Sequence, residues 1–257
     1  MVRILRETQT DFQKKFAELL VKREQTDKSV EKIVDKIIGD IESKSDSALI
    51  AYTRDLDKFK ISKIEDLIVS KKELSNSLKA IDTKVLKALK NAIKRIKDYH
   101  KKQIPKNNIY KDDKGVILGG LWNPVESVCL YVPGGTASYP SSLIMNAIPA
   151  IVAGVKRIVV TVPTLSGKLN PVILASAKLL GIREIYKIGG AQAIAALALG
   201  TKKINKVDKI VGPGNAYVAT AKKKLFGKVG IDMIAGPSEI LVIADNKNNP
   251  EHIALDL

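Results

Sequence analysis

Glycine-rich turns directly before helical segments are the features of this sequence best suited to binding a ligand. The stretch GPGNAYVATAKKKLFG (212 to 227) places two glycines and a proline before a helical pattern, and YVPGG and IGGAQ are two further turns. Glycine permits positive φ and lets a ligand approach the backbone closely. A helix that begins just after such a turn offers free N–H groups and partial positive charge, which suits a phosphate. The turns therefore favour a nucleotide or another anion. Plain strand-to-helix connections remain an alternative, since no turn matches G-x-G-x-x-G or G-x-x-x-x-G-K-[ST].

Polar side chains lie next to these turns, and each has a structural and a functional interpretation. Gln192, in the otherwise apolar segment AQAIAALALG, either reaches a ligand or covers the first turn of its helix. Asn215 is a natural N-cap or a ligand contact. Tyr131 follows an apolar strand end and could stack on a planar ligand or simply pack. Ser238 lies at another turn, AGPSE, where Glu239 could be a base, an ion-pair partner or a cap.

The histidines and the single cysteine predict no catalytic site of their own. Cys129 in ESVCLYV is typical of a small buried residue, and one cysteine supports neither an internal disulfide nor a zinc–thiolate cluster. His100 ends a lysine-rich helical segment, where a cation suits the helix dipole. His252 lies beside Glu251, but neighbours on a helix diverge by about 100° around its axis. The pair therefore need not share a site.

The elements that must position the turns alternate between strands and helices from Gly115 onward. The segments that predict strands are Val128–Val132, RIVVTVP, REIYKIGG, KVDKIVGPG and IDMIAGPSEILVIAD. Between them lie helical segments, one capped by Ser141 or Ser142 and one closed by Gly181. This alternation predicts an α/β fold with a mostly parallel sheet. Ligands on such sheets bind beyond the carboxyl ends of the strands, so the three glycine turns should line one rim.

Residues 28 to 100 are predicted to be helical. The segments VEKIVDKIIGDI and VLKALKNAIKRI have apolar residues spaced three and four apart, which is typical of packing faces and not of chemistry. In the helix after GPGN the predicted apolar face consists of Val218, Ala221, Leu225 and Phe226. The lysines predicted to reach water there are Lys222, Lys223 and Lys224.

The formal net charge of +16 raises the possibility of nucleic-acid binding. The charge is spread out, however, with +9 in residues 1–112 and +7 in residues 113–257. Lysine far outnumbers arginine and aromatic residues are few, whereas base stacking and bidentate contacts favour aromatics and arginine. A solvated lysine-rich surface is the better interpretation. No apolar run is long enough for a membrane span, and MVRILRETQTDFQKKF lacks the apolar core of a secretory signal, so we expect a cytoplasmic protein.

Four stretches taken together resemble the L-histidinol dehydrogenase family. They are LYVPGGTASYPSSLIMNAIPAIVAGV (130 to 155), IGGAQAIAALALGT (188 to 201), VDKIVGPGNAYVATAK (207 to 222) and DMIAGPSEILVIAD (232 to 245). Their order and spacing both fit, and the resemblance is strong over residues 115 to 257. The N-terminal part, including GDIESKSDSALIAYTRDLDKF, fits more loosely.

The resemblance implies a chemistry and assigns roles to some residues. The family oxidises L-histidinol to L-histidine through the aldehyde with two NAD⁺ in succession, and it requires zinc. Tyr131, Gln192 and Asn215 match positions that contact NAD, and Ser238 matches a position that contacts the substrate. The zinc ligands and the glutamate–histidine pair for proton transfer are expected beyond Leu257. This chain is therefore expected to carry no catalytic residue and no metal ligand, and to be inactive alone.

The resemblance also implies a domain organisation and a homodimer when the protein is full length. We expect a Rossmann-like NAD-binding domain at 130–238. An interrupted second α/β domain would begin in the helical region 1–129 and resume at 239–257. Two other functional classes stay open: a non-catalytic nucleotide-binding module and a basic nucleic-acid-binding protein. Steeply salt-dependent binding of DNA or RNA would indicate the latter.

Overall fold

The computed structural model describes residues 5–24, 28–134, 139–234 and 241–256, which contain ten α-helices and seven β-strands. In chain order the helices are α1 (Phe12–Glu24), α2 (Lys28–Lys44), α3 (Asp46–Leu56), α4 (Lys71–Asn76), α5 (Thr83–Lys101), α6 (Pro140–Ala153), α7 (Pro171–Leu179), α8 (Gly190–Leu199), α9 (Ala216–Leu225) and α10 (Pro250–Asp256). The strands are β1 (Asn108–Lys111), β2 (Ile117–Gly120), β3 (Ser127–Tyr131), β4 (Arg157–Thr161), β5 (Glu184–Tyr186), β6 (Lys209–Val211) and β7 (Gly230–Ile231).

Five of the strands form one parallel sheet in the order β5-β4-β3-β6-β7, and β1 and β2 form a separate antiparallel hairpin. Each neighbouring pair in the larger sheet is parallel. The predicted α/β fold with a parallel sheet is therefore confirmed. The strand order reverses between β3 and β6, and sheets of this kind bind ligands in the crevice at that reversal.

Helices cover both faces of the sheet because its central strands are apolar on both faces. All five residues of β3 are buried, as expected for a parallel strand enclosed by helices. One buried cluster joins Cys129 and Ile210 to α8 and α9 and continues into α2 and α3. The other joins Leu130 and Val160 to α6 and α7 on the opposite face. Successive strand residues thus alternate between the two clusters.

The N-terminal helices pack directly on the helices of the sheet. The predicted packing stripe of α2 is confirmed, because four residues spaced three and four apart are buried against α8 and α9: Val30, Val34, Ile37 and Ile41. α5 buries Leu89 against α6. The predicted boundaries at 129/130 and 238/239 stay predictions. None of the helices in the described ranges is both long and apolar enough to cross a membrane.

Several local predictions are wrong or incomplete. α6 begins at Pro140 with Tyr139 as its N-cap and no side-chain cap, so neither Ser141 nor Ser142 caps it. Proline at the first helical position has a preset φ and needs no N–H partner. The closing role of Gly181 is confirmed, since its φ is +76° and its N–H donates to the carbonyl oxygen of Lys178.

Two strand assignments also differ from expectation. The segment KNNIYKDDKG contains β1 although its polar composition does not predict a strand, and the Asp112 carboxylate accepts from the backbone N–H of Val116 at the hairpin turn. In IDMIAGPSEILVIAD, the described residues form only the end of β7. Residues 241–245 have no strand, and residues 235–240 lie outside the described part of the chain.

The predicted faces of α9 are partly wrong. Val218, Ala221 and Leu225 are buried as expected, but Phe226 is 66% exposed because the helix ends before it. Lys222 was expected to reach water and is only 4% exposed.

Candidate functional site

The three glycine turns converge on one cavity, as predicted from the parallel sheet. The cavity has a volume of about 840 Å³ and lies beyond the carboxyl ends of β3, β5 and β6. Pro133, Gly190 and Pro213 each represent one turn in its wall. α2 and α3 close the opposite side with Ile33, Ile37, Leu56 and Asp57. The cavity therefore lies between the N-terminal helices and the edge of the sheet where the strand order reverses.

Tyr131, at the end of β3, forms part of the cavity wall but is itself 3% exposed. Its hydroxyl oxygen accepts a hydrogen bond from the backbone N–H of Gly190 at 3.1 Å. Burial raises the pKa of the phenol to about 12, so the side chain is neutral near pH 7. The structure thus confirms that the ring packs, and it ties β3 to the first residue of α8.

Gln192 is 1% exposed and also belongs to the cavity wall. Its Nε2 donates to Oδ2 of Asp57 at 3.2 Å, and its Oε1 has no hydrogen-bond partner among the described residues. Unpaired buried carbonyl oxygens are uncommon and costly. Gln192 therefore does more than cover its own helix turn, because it connects α8 to the end of α3.

Asp57 is a site residue that sequence reasoning missed. Its carboxylate accepts from Gln192 and from the backbone N–H of Gly189. Burial raises the pKa of this carboxyl to about 6, while those two hydrogen bonds act in the opposite direction. It is the single charged side chain among the described residues of the wall. No local pattern marks it, since its partner Gln192 lies 135 residues away.

Asn215 is the N-cap of α9, and its Oδ1 accepts from the backbone N–H of Val218 at 3.1 Å. The capping interpretation is therefore confirmed. Asn215 also lines the cavity, so the two interpretations of this residue are compatible.

An ion pair between buried Lys222 and half-buried Asp232 holds the turn that precedes Asn215. Nζ of Lys222 donates to the carbonyl oxygen of Gly212 at 3.0 Å and to Oδ1 of Asp232. Oδ2 of Asp232 accepts from the N–H of Gly212 at 2.7 Å. Burial acts to raise the pKa of Asp232, but its hydrogen bonds outweigh burial and lower it. Gly212 has φ +118°, and a Cβ there would collide with the carbonyl oxygen of Tyr131. This turn therefore requires glycine.

Two helix N-termini face the cavity with free backbone donors. The N–H groups of Gly189 and Gly190 are used by Asp57 and Tyr131, but those of the next residues of α8, Ala191 and Gln192, have no acceptor among the described residues. The first two N–H groups of α9 are likewise free within the described ranges. Helix dipoles add positive potential at both ends. This arrangement suits an anion, although no lysine or arginine of the described wall faces it.

The remaining sequence candidates do not meet at this cavity. Ser238 and Glu239 lie outside the described residues. His100 lies in the last turn of α5, and its Nδ1 is 2.6 Å from Oε1 of Gln103, while His252 is exposed on α10. Cys129 is fully buried, as predicted. Across the described ranges, no three His, Cys, Asp or Glu side chains come close enough to hold a metal ion.

Comparison with known proteins identifies the relatives of this chain. A family model described as histidinol dehydrogenase matches residues 20–257. The chain belongs to the histidinol dehydrogenase family. It is 51% identical over 253 residues to histidinol dehydrogenase of Agrobacterium fabrum, which covers 98% of this chain and 58% of that protein. It is 52% identical over 248 residues to that of Rhizobium meliloti, covering 96% and 57%.

A solved structure shows the same architecture. The crystal structure of histidinol dehydrogenase from Elizabethkingia anophelis is 41% identical and superposes with a TM-score of 0.80, over 88% of this chain and 52% of that one. The chain thus spans less than three fifths of the length of these curated relatives and about half of the solved one.

Proposed function

We propose that the cavity binds NAD and that this chain contributes the nucleotide side of an enzyme that oxidises L-histidinol through the aldehyde to L-histidine, a step of histidine biosynthesis. The proposal rests on the convergence of three residues at one cavity. Tyr131, Gln192 and Asn215 come from three separate strand-to-helix turns, and all three line one cavity. They are the residues that the resemblance assigns to NAD contact.

The wall of the cavity fits a dinucleotide in shape and in polarity. Its volume falls in the range of about 300–1,000 Å³ that small-molecule and cofactor sites occupy. Free N–H groups at the first turns of α8 and α9 would hold the pyrophosphate. The apolar wall from α2 would exclude water from the bound cofactor. The buried carbonyl oxygen of Gln192 lacks a hydrogen-bond partner among the described residues. After a small movement of the side chain, a donor group of the cofactor would bond to it.

When bound, NAD supplies a hydride acceptor. The residues of this chain bind and orient it. Tyr131 stays neutral near pH 7 and fixes the first turn of α8, while Lys222 and Asp232 fix the turn that carries Asn215. Lys222 and Asp232 hold their turn without lining the cavity, whereas Tyr131 both lines the cavity and holds a turn.

Zinc does not fit the described part of the chain, where no three suitable side chains meet. No step is therefore assigned to a metal bound by these residues. We propose zinc as a second cofactor, as the family resemblance implies, with ligands beyond residue 257. We also propose that Ser238 contacts the substrate, that the protein lies in the cytoplasm, and that the full-length enzyme is a homodimer.

Calorimetric titration of the 257-residue chain with NAD tests the nucleotide site. We expect saturable binding that weakens about tenfold in Gln192→Leu, because a buried polar contact is lost. Gln103→Leu, which removes an exposed amide outside the cavity, should leave the affinity unchanged. Equal affinities in the wild type and both variants would contradict the assignment of the cavity.

NADH production from L-histidinol with added zinc tests the enzymatic part. We would compare this chain with one extended through the rest of the family's length. Activity in the extended chain alone supports the proposal. Turnover by the 257-residue chain would contradict the expected place of the essential residues. NAD binding without turnover in both would favour a non-catalytic nucleotide-binding module.

A further inference from the structure

The side-chain amide of Gln192 is bonded at one end only. Its Nε2 donates to Oδ2 of Asp57 at 3.2 Å, whereas its Oε1 is buried without a hydrogen-bond partner among the described residues. The side chain belongs to the cavity wall and is 1% exposed, so little solvent can reach the amide. A buried carbonyl oxygen in this state is uncommon and costly. Gln192 therefore keeps an unused acceptor in the wall of the cavity.

The carboxylate of Asp57 determines which end of this amide faces it. An ionised carboxylate accepts hydrogen bonds and donates none. Only the NH₂ group of Gln192 can therefore bond to Asp57, and the carbonyl oxygen must lie on the other side of the amide. The pKa of about 6 leaves Asp57 ionised near neutral pH. Asp57 is itself held in place, because it also accepts from the backbone N–H of Gly189 at the N-terminus of α8, where a negative charge is favourable.

We propose that Asp57 is a positioning residue, which fixes the amide of Gln192 so that its carbonyl oxygen serves as a hydrogen-bond acceptor for the ligand of the cavity. The inference rests on the proposed function, with NAD as that ligand. NAD has N–H donors on its carboxamide and its adenine and O–H donors on its riboses, and any one of them satisfies this acceptor. Asp57 acts through Gln192 and need not touch the cofactor.

A double-mutant cycle tests whether Asp57 acts through Gln192. Calorimetry at pH 8 gives the dissociation constants of NAD for the wild type, Asp57→Asn, Gln192→Leu and the double variant. Asparagine has both a donor and an acceptor, so the amide of Gln192 can bond to it through either end. We expect Asp57→Asn to weaken NAD binding about three- to tenfold. In the Gln192→Leu background the same substitution should change the affinity by less than about twofold, because the amide that Asp57 orients is gone.

Asp55→Asn is the matched control for the removed charge. It removes an exposed carboxylate in the last turn of α3, and Asp55 does not line the described wall. Its affinity for NAD should stay within about twofold of the wild type. An equal loss from Asp57→Asn in both backgrounds, or no loss in either, would overturn the inference and leave the NAD site intact. Tighter binding by Asp57→Asn would also overturn it, since the charge would then oppose an anionic part of NAD.

The pH dependence of NAD binding is a second readout that needs only the wild type. Protonated Asp57 has an O–H donor, so it can bond to either end of the amide of Gln192. The affinity of the wild type for NAD should therefore fall about threefold between pH 8 and pH 5. An affinity that stays constant or rises over this range would overturn the inference. A wild type that does not bind NAD at any pH would overturn the proposed function, and the inference with it.

The surroundings of Asp57 make this readout specific to its carboxyl group. Tyr131 lies near it on β3, and its pKa of about 12 keeps the phenol neutral throughout this range. α2 faces the cavity with the apolar side chains of Ile33 and Ile37. On its own segment, Asp55 and Lys58 are exposed and do not line the described wall. A change in NAD affinity near pH 6 is therefore assigned to Asp57.

Discussion

Neutralising Asp57 should stabilise the protein at pH 8, even though the residue accepts two hydrogen bonds. The pKa of the folded carboxyl is raised from 3.8 to about 6, mainly by burial. Each unit of pKa corresponds to about 1.4 kcal/mol, so the full shift corresponds to about 3 kcal/mol. Because the side chain is partly open to the cavity, screening reduces this to about 1–2 kcal/mol. We expect Asp57→Asn to raise the free energy of unfolding by that amount.

The direction of this change in the free energy of unfolding follows from proton linkage. A carboxyl whose folded pKa lies above its unfolded value binds protons more strongly in the folded state. Its ionised form therefore lowers stability above about pH 6, and the penalty disappears as the pH falls below about 4. The gain from Asp57→Asn should be constant above about pH 7 and mostly absent at pH 4.

Urea denaturation at several pH values measures this difference, with Asp55→Asn as the control for removing a charge from α3. The control should change the free energy of unfolding by less than about 0.5 kcal/mol at every pH. If Asp57→Asn were less stable than the wild type at pH 8, the hydrogen bonds to the carboxylate would outweigh its burial. Burial would then not be the dominant influence on the energy of Asp57, and the predicted sign would be refuted.

Three further predictions concern the turns and the core. Gly212→Ala should cost about 2 kcal/mol or more in denaturant unfolding, through both strain and collision, whereas Gly227→Ala, at φ +98° in open space, should cost about 1 kcal/mol; equal losses would contradict the role of close approach. Lys222→Met should cost about 3 kcal/mol because it leaves a half-buried carboxylate unpaired, and the exposed neighbour Lys223→Met should be nearly neutral in the same assay. Burial raises the pKa of the Cys129 thiol, so a thiol reagent at pH 8 should label it only after denaturation; rapid labelling of the native chain would disprove its burial.

The sequence could predict the sheet and the rim of the cavity because both depend on local patterns. Alternating strands and helices require a parallel sheet, and the carboxyl ends of parallel strands meet at one edge. Gln192 and Asn215 follow two of those strands, so their approach to one cavity follows from the topology. Their turns could be located without knowing any contact between distant segments.

The rest depends on contacts that local patterns do not encode. Asp57 meets Gln192 across 135 residues, and no periodicity indicates that contact. Lys222 follows a helical pattern that predicts exposure, but Asp232 enters from another segment and neutralises it in the interior. The β1–β2 hairpin consists of exposed residues on both strands, so it lacks the alternation of apolar and polar residues that would mark it.

The small side chains of α8 determine how closely its neighbouring helices can approach it. Its residues from Ala191 to Ala198 are all buried, and five of these eight are alanine. The helix packs against both α2 and α9, which also pack against each other. Protein interiors are close-packed, so a larger side chain forces the neighbouring elements to move. A larger side chain on the face of α8 that packs against α2 would push α2 outward and widen the cavity, because Ile33 and Ile37 of α2 line it. The size of the side chains on α8 therefore determines the width of the cavity.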